Sequence, residues 1–249
     1  MTATGDHLTI DDQITLGDLV TQHPSVARPL EKLGLDYCCH GQRSLADAVA
    51  QAGHSIGEVK SILAESMVPN ERPEWAGLAP ADLADHVIDT HHRYLWEELP
   101  RLSFLVDKIA EVHGGRHPEL AKIQSLYATL RVEFEPHLRR EELMVFPAVR
   151  QLADGKVPKI TAPVAGEDPT LEGRIHTLIE EHDATGEILD EMREISGGFV
   201  VPDDGCATYQ LTYQALDALE GDTHLHVHKE NNVLFPAAID LEKEVGSAG

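Results

Sequence analysis

Two segments of the chain repeat one another. His137-Leu-Arg-Arg-Glu141-Glu-Leu-Met-Val-Phe-Pro147 and His226-Val-His-Lys-Glu230-Asn-Asn-Val-Leu-Phe-Pro236 share the form His-x3-Glu-x4-Phe-Pro. A His and a Glu four positions apart on an α-helix stand one above the other on the same face. Imidazole and carboxylate together are the donors of a transition-metal site, with iron favoured and manganese or zinc as competitors. His92 precedes His137 by 45 positions and His182 precedes His226 by 44. The region therefore reads as two copies of one hairpin, each supplying one His and one His-x3-Glu. Four histidines and two glutamates pointing inward suit two metal ions, with Glu141 and Glu230 bridging them. Burying two carboxylates without a cation would cost several kcal/mol each. A core histidine bonded to a neighbouring Glu would explain any one pair, but it would have to recur in matched register to explain all.

The elements that must carry these residues are helical. Four long stretches have helical period: from Pro80 to about 112, about 119–152, about 171–195 and about 207–242. Their apolar stripes are Leu95, Leu99, Leu102, Val106 and Ile109; Ile123, Leu126, Leu130 and Phe134; Ile175, Leu178, Leu189 and Met192; and Leu216, Leu219, Val233 and Leu234. Four amphipathic helices of this kind make an all-α four-helix bundle. The long connection 153–170, with Pro158, Pro163 and Pro169, can cross the bundle. Pro136 removes a helical hydrogen bond and is expected to kink the second helix. Before the bundle, residues 1–67 read as a small unit of short helices near 16–20, 25–33, 44–52 and 56–65, punctuated by Pro24, Gly34, Gly41 and Gly53. Residues 68–80 contain three prolines and read as a linker that lets the small unit approach or leave the bundle of residues 81–249.

Other histidines read differently. His224 and His228 lie half a turn from His226, beside Asp217, Glu220 and Asn231, and are expected on the wet face. His113 continues the stripe of His92, but 21 residues of helix place it roughly 30 Å away. His86 and His91 are off the stripe and expected to be solvated. Cys38 and Cys39 are adjacent, which works against a disulfide between them and against joint chelation of one metal. As nucleophiles, or as acceptors of persulfide, nitrosyl or iron, they would need exposure and positive neighbours, and Lys32 and Arg43 are near in sequence. The alternative is that they are small buried apolar residues.

Composition bounds the rest. The 249 residues carry a net charge of -23, a field that repels nucleic acid and anionic membrane surfaces but not cations. Hydrophobic residues are 42% and aromatics 5%, which suits helix-on-helix packing better than a β-sandwich. No apolar run approaches the ~20 residues of a membrane helix, and the first residues do not read as a signal peptide. Three cysteines make no disulfide framework. The expectation is a cytoplasmic protein in a reducing compartment.

These motifs closely resemble the hemerythrin-like HHE domain, and the whole chain resembles the repair-of-iron-centres family. The resemblance rests on Asp36-Tyr37-Cys38-Cys39, on His92 with Leu99-Pro100, and on His137 with Glu141-Glu142. It continues through Glu181-His182-Asp183 with Gly186-Glu187, His226 with Glu230 to Pro236, and Cys206 in Cys-Ala-Thr-Tyr. It implies two non-haem iron ions, carboxylate-bridged and compatible with an oxo bridge, held by His92, His137, Glu141, His182, His226 and Glu230. It further implies a cytoplasmic protein, compatible with a homodimer, that restores iron–sulfur clusters damaged by nitric oxide or oxidants. Damaged iron–sulfur proteins would be its partners, with oxygen or nitric oxide as small ligands. Cys38 and Cys39 would serve in redox chemistry or client contact. Carrier hemerythrins place a second His four residues after the one in the third helix; here that position is Gly186, which leaves a more open metal. The family's residue after the paired cysteines is usually Gly, and here it is His40. Other readings are an oxygen or nitric oxide carrier or sensor, against which the cysteine unit counts, and a di-iron oxidase or peroxidase. Ferritin-like enzymes use Glu-x-x-His and more carboxylates than imidazoles, so the ligand balance here favours a metal-binding repair protein over a turnover enzyme.

Overall fold

The structure, a computed structural model, describes residues 10–68, 71, 73–158 and 170–247. Residues 159–169 of the connection between the second and third long helices lie outside the described residues, and so does its proposed crossing of the bundle. Among the described residues there is no strand, only a β-bridge between Thr15 and Ser44.

The bundle consists of four rods. The first is α5 (Pro80–Val87) continued by α6 (Arg93–His113), the second α7 (Glu119–Arg140) continued by α8 (Phe146–Ala153). The third is α9 (Leu171–Ile195), and the fourth α10 (Ala207–Lys229) continued by α11 (Phe235–Ser247). Helix α6 packs against α7 and α10, and α9 against α7 and α10. The sequence stripes face inward as their period requires, except that Val233 is only half-buried. They form two apolar clusters. One gathers Leu95 to Leu138 of the first two rods with Leu189 to Leu219 of the last two, and the other gathers α5, α8, the start of α9 and α11. A buried Leu or Phe contributes roughly 1.5–3 kcal/mol, so these clusters hold the rods together. The polar layer between them is free to serve chemistry.

Three rods change pitch in that layer. Ile88–His92, Glu141–Val145 and Glu230–Leu234 are single π-helical turns. Phe146 N–H reaches back to the Glu141 carbonyl, and Phe235 N–H to that of Glu230, five residues away instead of four. The repeated Phe-Pro accounts for two of them. Pro147 and Pro236 have no N–H to give, and their rings press on the preceding turn, which favours a wider one. The change in the second rod comes at Glu141, and α7 runs unbroken through Pro136 to Arg140, so the kink expected at that proline is not where the helix changes.

The N-terminal unit comprises α1 (Leu16–Gln22), α2 (Ala27–Lys32), α3 (Leu45–Gln51) and α4 (Ile56–Ser66). Thr15 Oγ1 caps α1 by accepting from Asp18 N at 3.0 Å, and Ser44 Oγ caps α3 by accepting from Asp47 N at 3.1 Å. Helices this short are not stable alone. Their core of Leu16, Leu19, Leu30, Leu45, Val49 and Leu63 takes in Val227 of α10. The unit is therefore seated on the fourth rod. Arg28 donates to the Asp217 carbonyl at 2.8 Å, and Asn232 Nδ2 donates to the Cys38 carbonyl at 3.0 Å. A Cβ on Gly41 would stand 2.4 Å from Asn232 Oδ1 and 2.5 Å from the Tyr37 carbonyl, so only glycine allows this approach.

Candidate metal centre

The six sequence-predicted metal ligands meet in the polar layer, each with its side chain at most 2% exposed. The histidines form two pairs: His92 and His226 with Nε2 atoms 3.2 Å apart, and His137 and His182 with Nε2 atoms 2.9 Å apart. Each glutamate sends one oxygen to each pair. Glu141 Oε1 is 3.1 Å from His137 Nε2 and its Oε2 is 3.4 Å from His92 Nε2. Glu230 Oε1 is 3.1 Å from His226 Nε2 and its Oε2 is 3.2 Å from His182 Nε2. Two groups able to hold an ion result: His92, His226, Glu141 and Glu230; and His137, His182, Glu141 and Glu230. Both carboxylates belong to both.

The outer ring nitrogens set the tautomers. His92 Nδ1 donates to Glu142 Oε1 at 3.0 Å, His137 Nδ1 to Glu181 Oε2 at 2.7 Å, and His182 Nδ1 to Asn231 Oδ1 at 2.9 Å. Glu142 is itself held by Trp96 Nε1 at 2.8 Å, and Glu181 by Arg140. With the proton at Nδ1, the Nε2 lone pair points into the layer, as a ligating imidazole requires. His226 has no partner at Nδ1 and stacks on the His91 ring at 5.4 Å.

All four oxygens of Glu141 and Glu230 are buried without a hydrogen bond, although imidazoles stand at ion-pair distance. Burial pushes both carboxyls up, but the surrounding imidazoles outweigh it and hold both well below the usual carboxylate range. The carboxylates in turn hold His92 high against its burial and lift His137 to about 9. The layer thus demands positive charge. Protons could supply some, but only one fits between the facing nitrogens of each pair. Two metal ions satisfy every orphaned oxygen and lone pair together, so the donors present fit the group.

The remaining histidines correct the sequence expectations. His224 and His228 are not on a wet face: the N-terminal unit covers them. His228 is fully buried, 3.2 Å from Thr21 Oγ1 and edge-on to Tyr37 and Trp75, while His224 lies 3.4 Å from Glu31. His91 is buried rather than solvated. It donates from Nδ1 to Asp222 at 2.9 Å and accepts at Nε2 from Lys229 at 2.7 Å, and burial pulls it down to about 4. His86 is half-buried and accepts from the same Lys229 at 3.1 Å. His113 stays away from the centre, 3.2 Å from Cys206 Sγ at the start of α10. Glu142, Glu181 and Asn231, which orient the ligands, each sit next to a ligand in sequence: Glu141, His182 and Glu230. All three fall in the segments that carry the family resemblance, but no spacing argument gives them their role.

Cys38 and Cys39 lie in the loop between α2 and α3, against α9. Cys38 is buried, and contact with Cys39, burial and Asp36 together push its thiol well up. Neither Lys32 nor Arg43 lines the adjoining cavity, whose walls carry Asp183, Glu187 and Asp190. A Cβ on Gly186 would stand 3.8 Å from Cys39 Sγ, so the bare backbone there leaves room beside the cysteine. Asn231 spans the two regions, accepting from His182 and donating to the Cys38 carbonyl at 3.4 Å.

Known proteins match this arrangement over nearly the whole chain. A family model described as the hemerythrin HHE cation binding domain matches residues 83–238, and one described as a domain of unknown function (DUF542) matches residues 12–66. The iron-sulfur cluster repair protein ScdA of Staphylococcus epidermidis is 31% identical over 88% of this chain and 95% of its own. That of Staphylococcus haemolyticus is 32% identical over 91% and 98%. The iron-sulfur cluster repair protein YtfE of Escherichia coli is 29% identical over 90% and 96%. With its bundle inside the first match and its length covered by these relatives, the chain belongs to the hemerythrin HHE family, in the group that joins this bundle to the small N-terminal domain.

Proposed function

We propose that this protein repairs iron–sulfur clusters damaged by nitric oxide or oxidants, using two iron ions held in the bundle. The observation that carries the reading is that both buried carboxylates belong to both donor sets, which supports a dinuclear, carboxylate-bridged centre. His92 and His226 would hold one iron, His137 and His182 the other, and Glu141 and Glu230 would bridge them. When bound, iron supplies a Lewis-acidic, redox-active site able to take up diatomic ligands and to exchange with a damaged cluster. The chain's own part is positioning. Glu142, Glu181 and Asn231 hold the imidazole protons at Nδ1, and the two apolar clusters keep water from the layer on either side.

Residues 1–67 and 81–249 are two parts joined by 68–80 and packed together at Val227, with the cysteine loop as the face offered to the damaged protein. Among the described residues no helix is long and apolar enough to cross a membrane, and a cytoplasmic location agrees with iron–sulfur clients. The test is reactivation of a nitric oxide-damaged iron–sulfur dehydratase by iron-loaded protein. Wild type is expected to restore activity and Glu230→Ala to fail. Equal reactivation by both, or none by iron-loaded wild type, overturns the proposal.

A further inference from the structure

The cysteine loop carries donors that the bundle does not use. Asp36, Cys38 and Cys39 each place one ligand atom within 4.8 Å of the others. Adjacency in sequence works against joint chelation. The loop bends instead, bringing the two sulfurs to 3.7 Å. Two thiolates on a tetrahedral ion at a metal–sulfur distance of about 2.3 Å stand about 3.8 Å apart, so the pair already has the required span. Asp36 Oδ1 lies 3.2 Å from Cys38 Sγ and accepts the backbone N–H groups of Cys38 and Cys39, each at 3.0 Å, which fixes the carboxylate beside the sulfurs. His40 Nδ1, 2.5 Å from Asp36 Oδ2, holds its other oxygen.

These donors open on a cavity of about 320 Å³ between the loop and α9. Gly186 leaves room in its wall. Asp183, Glu187 and Asp190 make the cavity acidic, and its arginine, Arg193, is already paired with Glu220 and Asp217. A hydrated cation is drawn in and an anion kept out.

We propose that Asp36, Cys38 and Cys39 form a second cation site, separate from the bundle centre, for a borderline divalent metal such as ferrous iron, with cobalt or zinc as substitutes. On binding, each thiol gives up its proton to solvent and forms one sulfur–metal bond. In Cys38 the ion takes the place of the proton now shared with Asp36. Three protein donors leave at least one position facing the cavity, so the site loads and unloads where the six-ligand bundle layer retains. It adds to the repair reading a point where cargo metal pauses, and it stands whether or not the bundle holds iron.

The probe is cobalt(II) added to the full-length, iron-loaded protein, read by X-ray absorption at the cobalt edge. The expected result is one cobalt per chain with two sulfur neighbours, kept in Cys206→Ser and lost in the double variant Cys38→Ser, Cys39→Ser. The six donors of the bundle layer include no sulfur, so cobalt entering an iron-free layer gives only nitrogen and oxygen neighbours, and Cys206→Ser removes the thiol beside His113 as a source of the signal. In the unaltered protein, where folding is not at issue, cobalt should slow alkylation of Cys39 several-fold and leave that of Cys206 unchanged. Cobalt without sulfur neighbours, a sulfur signal surviving in the double variant, or unprotected Cys39 overturns the proposal.

Discussion

The bundle layer and the cysteine loop lie against each other and are built on opposite terms. The layer takes its donors from rods locked by two apolar clusters, so its geometry is set before any ion arrives. Its donors are imidazoles and carboxylates, fully buried, and Glu142, Glu181 and Asn231 hold the Nδ1 protons of His92, His137 and His182. The loop takes its donors from neighbouring positions of one turn, partly open to a cavity and tied to the bundle through Asn231 and Asn232. A pre-formed enclosed site favours retention, and a shallow one exchange. With both proposed sites filled, one protein would keep metal in one place and pass it in another.

Breaking the layer should have the largest effect. Glu230→Ala removes a donor from both pairs, so metal content should fall at both positions, not one. Elemental analysis showing one ion retained in full would mean that the glutamate serves a single ion. Removing metal from wild type comes next. Two ions at a hundred times their dissociation constants contribute about 2.7 kcal/mol each, and chelation should lower the melting temperature by roughly 10–20 °C. Because Val227 belongs to the core of the N-terminal unit, calorimetry should show one transition moving as a whole. Two transitions, with only the later one moving, would separate the units.

Disturbing the loop's seat should matter less. Gly41→Ala drives a methyl against Asn232 and the Tyr37 carbonyl, which costs about 1–3 kcal/mol. Melts should register that loss while iron content stays at the wild-type level. Loss of iron would make the loop part of the bundle centre. Smallest is Cys206, where a backbone N–H of α10 and then His113 bring the thiol down to about 7. Its alkylation should be slow below that pH and rise as pH climbs through it, with metal content and stability untouched. A rate still rising steeply well above neutrality would contradict the His113 contact.

The sequence made the layer legible because His-x3-Glu-x4-Phe-Pro appears twice and helical period turns spacing into direction. Period tells which side of a helix a residue faces, not what covers that side. His224 and His228 do point away from the bundle core, but the N-terminal unit lies there, packed on Val227. His91 fails for the same reason, since the partner that buries it, Lys229, belongs to another rod. The wide turns at Glu141 and Glu230 have a visible cause in Phe-Pro, but their effect on hydrogen-bond register appears only in three dimensions. The span of the two sulfurs depends on how the Asp36 carboxylate gathers the loop's N–H groups, a fold-back that adjacency in sequence conceals.

Whether Glu141 and Glu230 join two irons into one unit is tested most directly by iron-57 Mössbauer spectroscopy in an applied magnetic field. Oxidised wild-type protein is predicted to hold two irons per chain, coupled through their bridges into a diamagnetic ground state. Two uncoupled paramagnetic irons, or a single iron per chain, would contradict it.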